Sequence, residues 1–310
     1  MVEAKISACS CPHFGSNDII RQAMDWRDIP SYNRRMTEIL AASISFDPNV
    51  ALILGDLVNA SSENHLTYLQ EYISMVTNIT TGLQCPRLDT LGNHIMSTSL
   101  PPTYSPIWDG ANGMPTMADY FTEIANQTSG VSLTKENYAG PNGQPYFYTA
   151  DVDGIRYIAF YFPYGGTIAQ NELDWLEARL SETSLPVVIF AHAHLWVDPY
   201  QELTGGWVVT NVQDIYDIID QYPVVQLVMG GHRHWHAHLY RRNGVQYLSL
   251  GGSCGIRTET STGTNNYVLI EMKANSVPTP YGMKANLKIT GVGTYTQGIT
   301  KDWCTFGIGA

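Results

Sequence analysis

The chain has 310 residues, enough for one large domain or two small ones, and an apolar content of 44% that can supply a sizeable core. Charged side chains make up only 15%, with 28 acidic against 17 basic residues and a net charge of -11, a balance that argues against a nucleic-acid backbone or an anionic membrane surface as partner. No apolar run is long enough to span a bilayer and no secretory signal opens the chain, so the default expectation is cytoplasmic and the alternative an exported mature chain.

Taken in chain order, the first expected strand lies near EAKISACS and runs into Cys11-Pro12-His13. Met36, Ile39, Leu40 and Ile44 then recur at helical spacing. VALIL (50–54) has the length and β-branching of a strand buried on both faces, and it ends on Gly55-Asp56. Leu66, Leu69, Ile73 and Val76 mark a second helical face, and RLDTL (87–91) a strand that ends on Gly92-Asn93-His94. From 95 to 116 the chain is rich in Pro, Gly and Ser, and this stretch opens an irregular insertion with one short helix that reaches about 143. Its Tyr104, Trp108, Tyr120 and Phe121 offer stacking surfaces for an aromatic or sugar group; simple packing over the domain is the competing reading. Leu173, Leu176 and Leu180 share a helix face, followed by the strand PVVIFA (186–191) and His192-Ala193-His194. Val212, Ile215 and Ile219 repeat the pattern before VVQLVM (224–229) and Gly230-Gly231-His232-Arg233-His234. After Gly231, HWHAHLY, VQYLSL, YVLIEM and LKITGV read as antiparallel strands joined by short turns such as RRNG.

Alternating strands and helices imply a layered α/β fold, here a single domain over 1–310 with a C-terminal antiparallel β segment. In such sheets ligands bind at the carboxyl ends of the strands. Five segment endings each offer Asp, Asn, His or Cys, and of the nine histidines only His65, His236 and His238 lie elsewhere. Imidazole, carboxylate and amide oxygens are ligands for borderline divalent metals. Two metals roughly 3.5–4 Å apart clamp a phosphoryl group and activate the attacking oxygen. Asp56, on a turn between strand ends, is the residue best suited to bridge such a pair. The five scattered cysteines are an odd count and do not form a disulfide framework. Glycosylation-type triplets begin at Asn59, Asn78 and Asn126, and carry weight only in a secreted protein.

CPH (11–13), GD (55–56), GNH (92–94), His192 and GHRH (231–234), in that order, resemble the motif series of the calcineurin-like metallophosphoesterase superfamily, which includes purple acid phosphatases and phosphodiesterases. The resemblance implies an α/β/β/α sandwich of mixed sheets with helices on the outer faces. It also implies hydrolysis of phosphate mono- or diesters at a two-metal centre, where a metal-activated hydroxide attacks phosphorus in line. Position by position, it implies that His13 and His234 hold the first metal and that Asp56 bridges. Asn93, His192 and His232 would hold the second, while His94 contacts the phosphate and protonates the leaving oxygen. His236 and His238 read as strand residues without a ligand role. The implied partner is a phosphorylated small molecule or a phosphodiester.

Two positions depart from the pattern. Cys11 stands where the family has Asp. A thiolate beside a cation is a competent ligand and favours iron or zinc, with manganese also compatible with the rest of the set. The alternative is that Cys11 is a small buried residue and the first site is weak. Ile95 replaces the acid that follows GNH and normally orients the histidine. Both departures keep open a second reading, a metal-binding or structural protein that retains the fold with impaired catalysis.

Overall fold

In the computed structural model the described residues are 2–10, 41–56, 84–90, 92, 132–135, 147–160, 167–196, 209–232, 238–250, 267–274, 285–292 and 304–305. They form two mixed sheets. The first contains β1 (Val2–Ser10), β2 (Val50–Leu54), β3 (Arg87–Thr90), β11 (Tyr267–Ala274), β12 (Ala285–Val292) and β13 (Cys304–Thr305), in the order β13-β12-β11-β1-β2-β3. β1, β2 and β3 run parallel, and β11 joins β1 antiparallel. The second contains β4 (Ser132–Lys135), β5 (Tyr148–Val152), β6 (Ile155–Phe160), β7 (Val187–Ala191), β8 (Val225–Gly230), β9 (His238–Arg242) and β10 (Val245–Ser249), in the order β4-β5-β6-β7-β8-β10-β9. Here β6, β7, β8 and β10 are the parallel centre.

The apolar runs become central strands because every residue of β2, β7, β8 and β10 is buried. A strand at a sheet edge or on a solvated face would alternate instead. Fully burying one Val, Leu or Ile stabilises by about 1.5–3 kcal/mol, so five in succession hold a strand firmly. The two sheets share one apolar core, which includes Ile6, Leu52, Leu88, Ile158, Ile189 and Leu227.

Helices cover the outer faces. α1 (Gln170–Ser181) buries Leu173, Trp175, Leu176 and Leu180. Its Trp175 ring stacks on Phe147 and Phe160, at centroid distances of 5.2 and 6.2 Å, which fixes it to the second sheet. α1 is capped by Glu172, whose Oε2 accepts from the Ala169 N–H at 2.8 Å. α2 (Val212–Gln221) buries Ile215, Ile218 and Ile219, and Tyr216 meets Tyr247 of β10 edge-on. On the first sheet, residues 41–46 are helical and lie against β1, where the Ser43 and Ser7 hydroxyls pair at 2.6 Å. The expected layering, helix outside sheet on both sides, is therefore observed.

Three features differ from the sequence reading. The hairpin β5–β6 was not anticipated, and its turn is Asp153-Gly154 with φ of 49° and 79°, the two-residue geometry that suits strand twist. β4 falls inside the stretch read as irregular and adds an edge strand beside β5. The pieces after Gly231 pair antiparallel as expected, β9 with β10 and β11 with β12, but they are divided between the sheets: β10 also pairs parallel with β8, while β11 and β12 join the other sheet. Hydrophobic pattern reports that a strand is buried, not which sheet claims it. No helix among the described residues is long and apolar enough to cross a membrane.

Candidate metal centre

The carboxyl ends of β2, β3, β7 and β8 meet at one end of the sandwich. The sheets are tied there by Thr90, whose hydroxyl reaches the Phe160 carbonyl, and by Tyr148, whose hydroxyl donates to the Asp89 carbonyl at 2.6 Å. Asp56, His192 and His232 leave three of these strand ends and converge. One ligand-type atom from each lies within 4.8 Å of the others, and all three residues are buried.

Asp56 reaches this place through a tight reversal after β2, with φ of 71° at Gly55 and 49° at Asp56. Both are left-handed values, which glycine adopts freely and Asp tolerates better than most residues. A Cβ on Gly55 would also come within 2.6 Å of the His192 ring. Gly92 permits a second close approach, since a Cβ there would sit 2.7 Å from Asp56 Cγ. His232 leaves β8 with φ 66°, another strained value held by its surroundings.

The donor geometry is set by the backbone. His192 Nδ1 lies 2.8 Å from the Leu54 carbonyl, which can only accept, so Nδ1 carries a proton and Nε2 turns inward, with a lone pair to offer when the ring is neutral. That Nε2 is 3.0 Å from Asp56 Oδ2 and 3.0 Å from His232 Nδ1. The two imidazole rings cross at 70° with centroids 4.8 Å apart. In the neutral tautomer a carboxylate oxygen and an imine nitrogen face each other at contact distance, an arrangement that calls for a positive charge. Ligands about 2.0–2.2 Å from a cation stand roughly 3 Å apart when adjacent, so the observed spacing fits a metal ion. Two nitrogens and a carboxylate oxygen are also the donor set that zinc, iron and manganese accept.

Of the residues anticipated for the site, these three are brought together. Cys11, His13, Asn93, His94 and His234 lie outside the described residues, as do Ile95 and the aromatic side chains of the insertion. Two contributors were not anticipated. The Leu54 carbonyl carries no side-chain signature. His194, in the same HAH run as His192, is buried and bonded to Ser249 across 55 residues of chain.

A family model described as calcineurin-like phosphoesterase matches residues 4–236. A 3',5'-cyclic-nucleotide phosphodiesterase of Nostoc sp. is 30% identical over 93 residues, 29% of this chain and 33% of that protein. A probable cyclic nucleotide phosphodiesterase of Ruthia magnifica is 25% identical over 107 residues, 34% of this chain and 45% of that protein. Each match thus spans less than half of the relative's length. Among solved structures, a dimetal phosphatase from Danio rerio superposes with a TM-score of 0.58 at 12% identity, over 86% of this chain and 94% of that one. The yellow lupin purple acid phosphatase superposes with a TM-score of 0.51 at 14% identity, over 94% of this chain and 51% of that one. At such identities the likeness is one of fold.

Proposed function

The chain belongs to the calcineurin-like phosphoesterase family, and from that premise we propose that it is a metal-dependent hydrolase of phosphate mono- or diesters. The observation that carries this reading is the buried convergence of Asp56, His192 and His232 from three separate strand ends. When bound, two cations would supply Lewis-acid polarisation of the phosphoryl group and lower the pKa of an attacking water.

The chain's own residues divide the remaining work. Asp56, whose Oδ2 lies 3.0 Å from His192 Nε2, is the carboxylate that would be shared by the two cations. His192, His232 and Asn93 are assigned to one cation, and Cys11, His13 and His234 to the other. The Leu54 carbonyl keeps the His192 proton on Nδ1, so that Nε2 stays available as a donor of electrons. Burial of Asp56, with 1% of its surface exposed, excludes bulk water from the carboxylate and strengthens its pull on a cation. His94 is assigned to protonate the leaving oxygen. A thiolate at Cys11 favours iron or zinc, and manganese remains compatible with the N/O donors.

The two relatives named for cyclic nucleotides make a 3',5'-cyclic nucleotide the first diester to try. A second reading, a metal-binding protein with impaired turnover, is favoured by Cys11 and by Ile95 in place of an acid beside His94. The deciding assay offers bis-p-nitrophenyl phosphate, p-nitrophenyl phosphate and 3',5'-cyclic nucleotides to protein loaded with manganese, zinc or iron. Hydrolysis that disappears in Asp56→Asn supports the enzyme. Stoichiometric metal without turnover on any of them supports the second reading.

A further inference from the structure

His194 has no place in the donor set, yet it is more deeply buried than either His192 or His232. It is 1% exposed, its Nε2 and the Ser249 hydroxyl are 2.9 Å apart, and its ring lies on Trp196 at 4.5 Å and 18°. It also presses on the end of β8. A Cβ on Gly230 would stand 2.7 Å from His194 Cδ2 and 3.0 Å from the Trp196 ring, so the imidazole fills the space that Gly230 leaves.

The residues it touches form the support of the centre. Ser249 is the register partner of Gly230 in the β8–β10 pair. The Leu250 N–H donates to the Gly230 carbonyl at 2.7 Å, and the Gly231 N–H donates to the His192 carbonyl at 2.7 Å. The backbone that carries His192 is thereby joined to the one that carries His232. His232 follows immediately, at a φ of 66° that an isolated chain would seldom hold.

Resting on the metal-centre reading above, we infer that His194 is a positioning residue: through Ser249 and Gly230 it holds the end of β8 so that His232 faces Asp56 and His192. It acts on the ligand's placement and touches no substrate. An ordinary core histidine would matter only for stability, and that difference is measurable.

The probe is cobalt(II), titrated into metal-free parent, His194→Phe, His194→Gln, Ser249→Ala and the Phe/Ala double variant, with visible absorption as the readout and melting of each metal-free protein as control. Phe keeps the stack on Trp196 but lacks the polar atom, whereas the Gln amide nitrogen reaches about as far as Nε2. Partners behind a metal ligand commonly contribute about 10–100-fold in affinity. We expect a loss of that size and an altered cobalt band in His194→Phe and in Ser249→Ala, recovery of most of the affinity in His194→Gln, and a double variant no weaker than either single one. Cobalt isotherms and spectra that coincide with the parent's in both single variants would overturn the inference, as would affinity losses that merely track a fall in metal-free melting temperature. If His194→Phe does not fold, Ser249→Ala decides alone. A parent chain that takes up no cobalt sinks the metal-centre reading itself, and this inference with it.

Discussion

The His192 ring donates through Nδ1 to the carbonyl of Leu54 at 2.8 Å, across 138 residues of chain. Leu54 ends β2, so one hydrogen bond ties the first sheet to the residue that leaves β7 of the second. The same bond settles which nitrogen of His192 faces Asp56. Sheet packing and the ring orientation of a candidate ligand are thus one feature, and the site inherits its rigidity from the sandwich.

Replacing Asp56 by Asn keeps the side-chain shape and a residue type that tolerates φ near 50°. The fold is expected to survive while the negative charge of the carboxylate is lost. Lewis-acid stabilisation is worth several kcal/mol, so phosphoesterase activity should fall on the order of a thousandfold. Circular dichroism shows whether the variant is folded, and metal analysis whether it has lost its cation. A folded, metal-replete Asp56→Asn with full activity would contradict the assignment.

Cation binding should also be visible without any substrate. A metal at a hundredfold excess over its Kd stabilises the folded state by about 2.7 kcal/mol, which for a chain of this size raises Tm by roughly 4 °C. The rise should vanish on adding a chelator and should be absent in His192→Ala. Calorimetry of the treated and untreated protein checks it.

Much of the fold is legible in the sequence because the central strands are continuous apolar runs, and the residues after them are the ones that meet. Asp56, His192 and His232 follow directly from that placement. The hairpin at Asp153-Gly154 is equally legible: an Asp-Gly pair between YTADV and IRYIAF is a strong turn signal. The Leu54 carbonyl and the His194–Ser249 bond were not available. A backbone acceptor has no residue identity, and the spacing between His194 and Ser249 becomes contact only through the parallel register of β8 and β10.

Arg87 and Asp89 form a buried bidentate pair on β3, with Nε to Oδ1 at 2.9 Å and Nη2 to Oδ2 at 2.7 Å, and their side chains are 1% and 2% exposed. They stand two residues apart on one strand face. Removing one partner of such a pair strands a charge and costs about 3–5 kcal/mol, whereas replacing both with apolar groups of similar volume is close to neutral. Arg87→Met should therefore lower the denaturation midpoint sharply, and Arg87→Met with Asp89→Leu should recover most of it. A double variant as unstable as the single one would show that Asp89 matters for another contact.

Glu172 gives a pH-dependent test. Burial raises its pKa, the larger effect, while the Ala169 N–H lowers it. A carboxyl whose folded-state pKa lies above the unfolded one favours the folded state most when protonated, and that contribution is lost as pH rises through the folded value. Gln in its place retains an oxygen to accept from Ala169 and never ionises. Glu172→Gln should gain stability relative to the parent on going from the ordinary carboxylate range to neutral pH, read as the difference between two pH–stability curves. A difference that does not grow with pH would mean that the hydrogen bond to Ala169 outweighs burial.

Gly55 and Gly154 separate strain from function. Both have positive φ, 71° and 79°, so Ala at either is expected to cost about 1–2 kcal/mol in backbone strain. Their surroundings differ. Among the described residues a Cβ at Gly154 finds only Val2, 3.7 Å away, in ordinary contact, whereas a Cβ at Gly55 meets the His192 ring at 2.6–2.8 Å. That ring is held by Leu54 on one side and faces Asp56 and His232 on the other, so it can move only by giving up its place in the donor set. Gly154→Ala should therefore lower stability modestly and leave cation affinity intact. Gly55→Ala should lose stability by more and bind the cation far more weakly, in isothermal titration on protein shown to be folded. Equal cation affinities in the two variants would mean that His192 does not hold the metal.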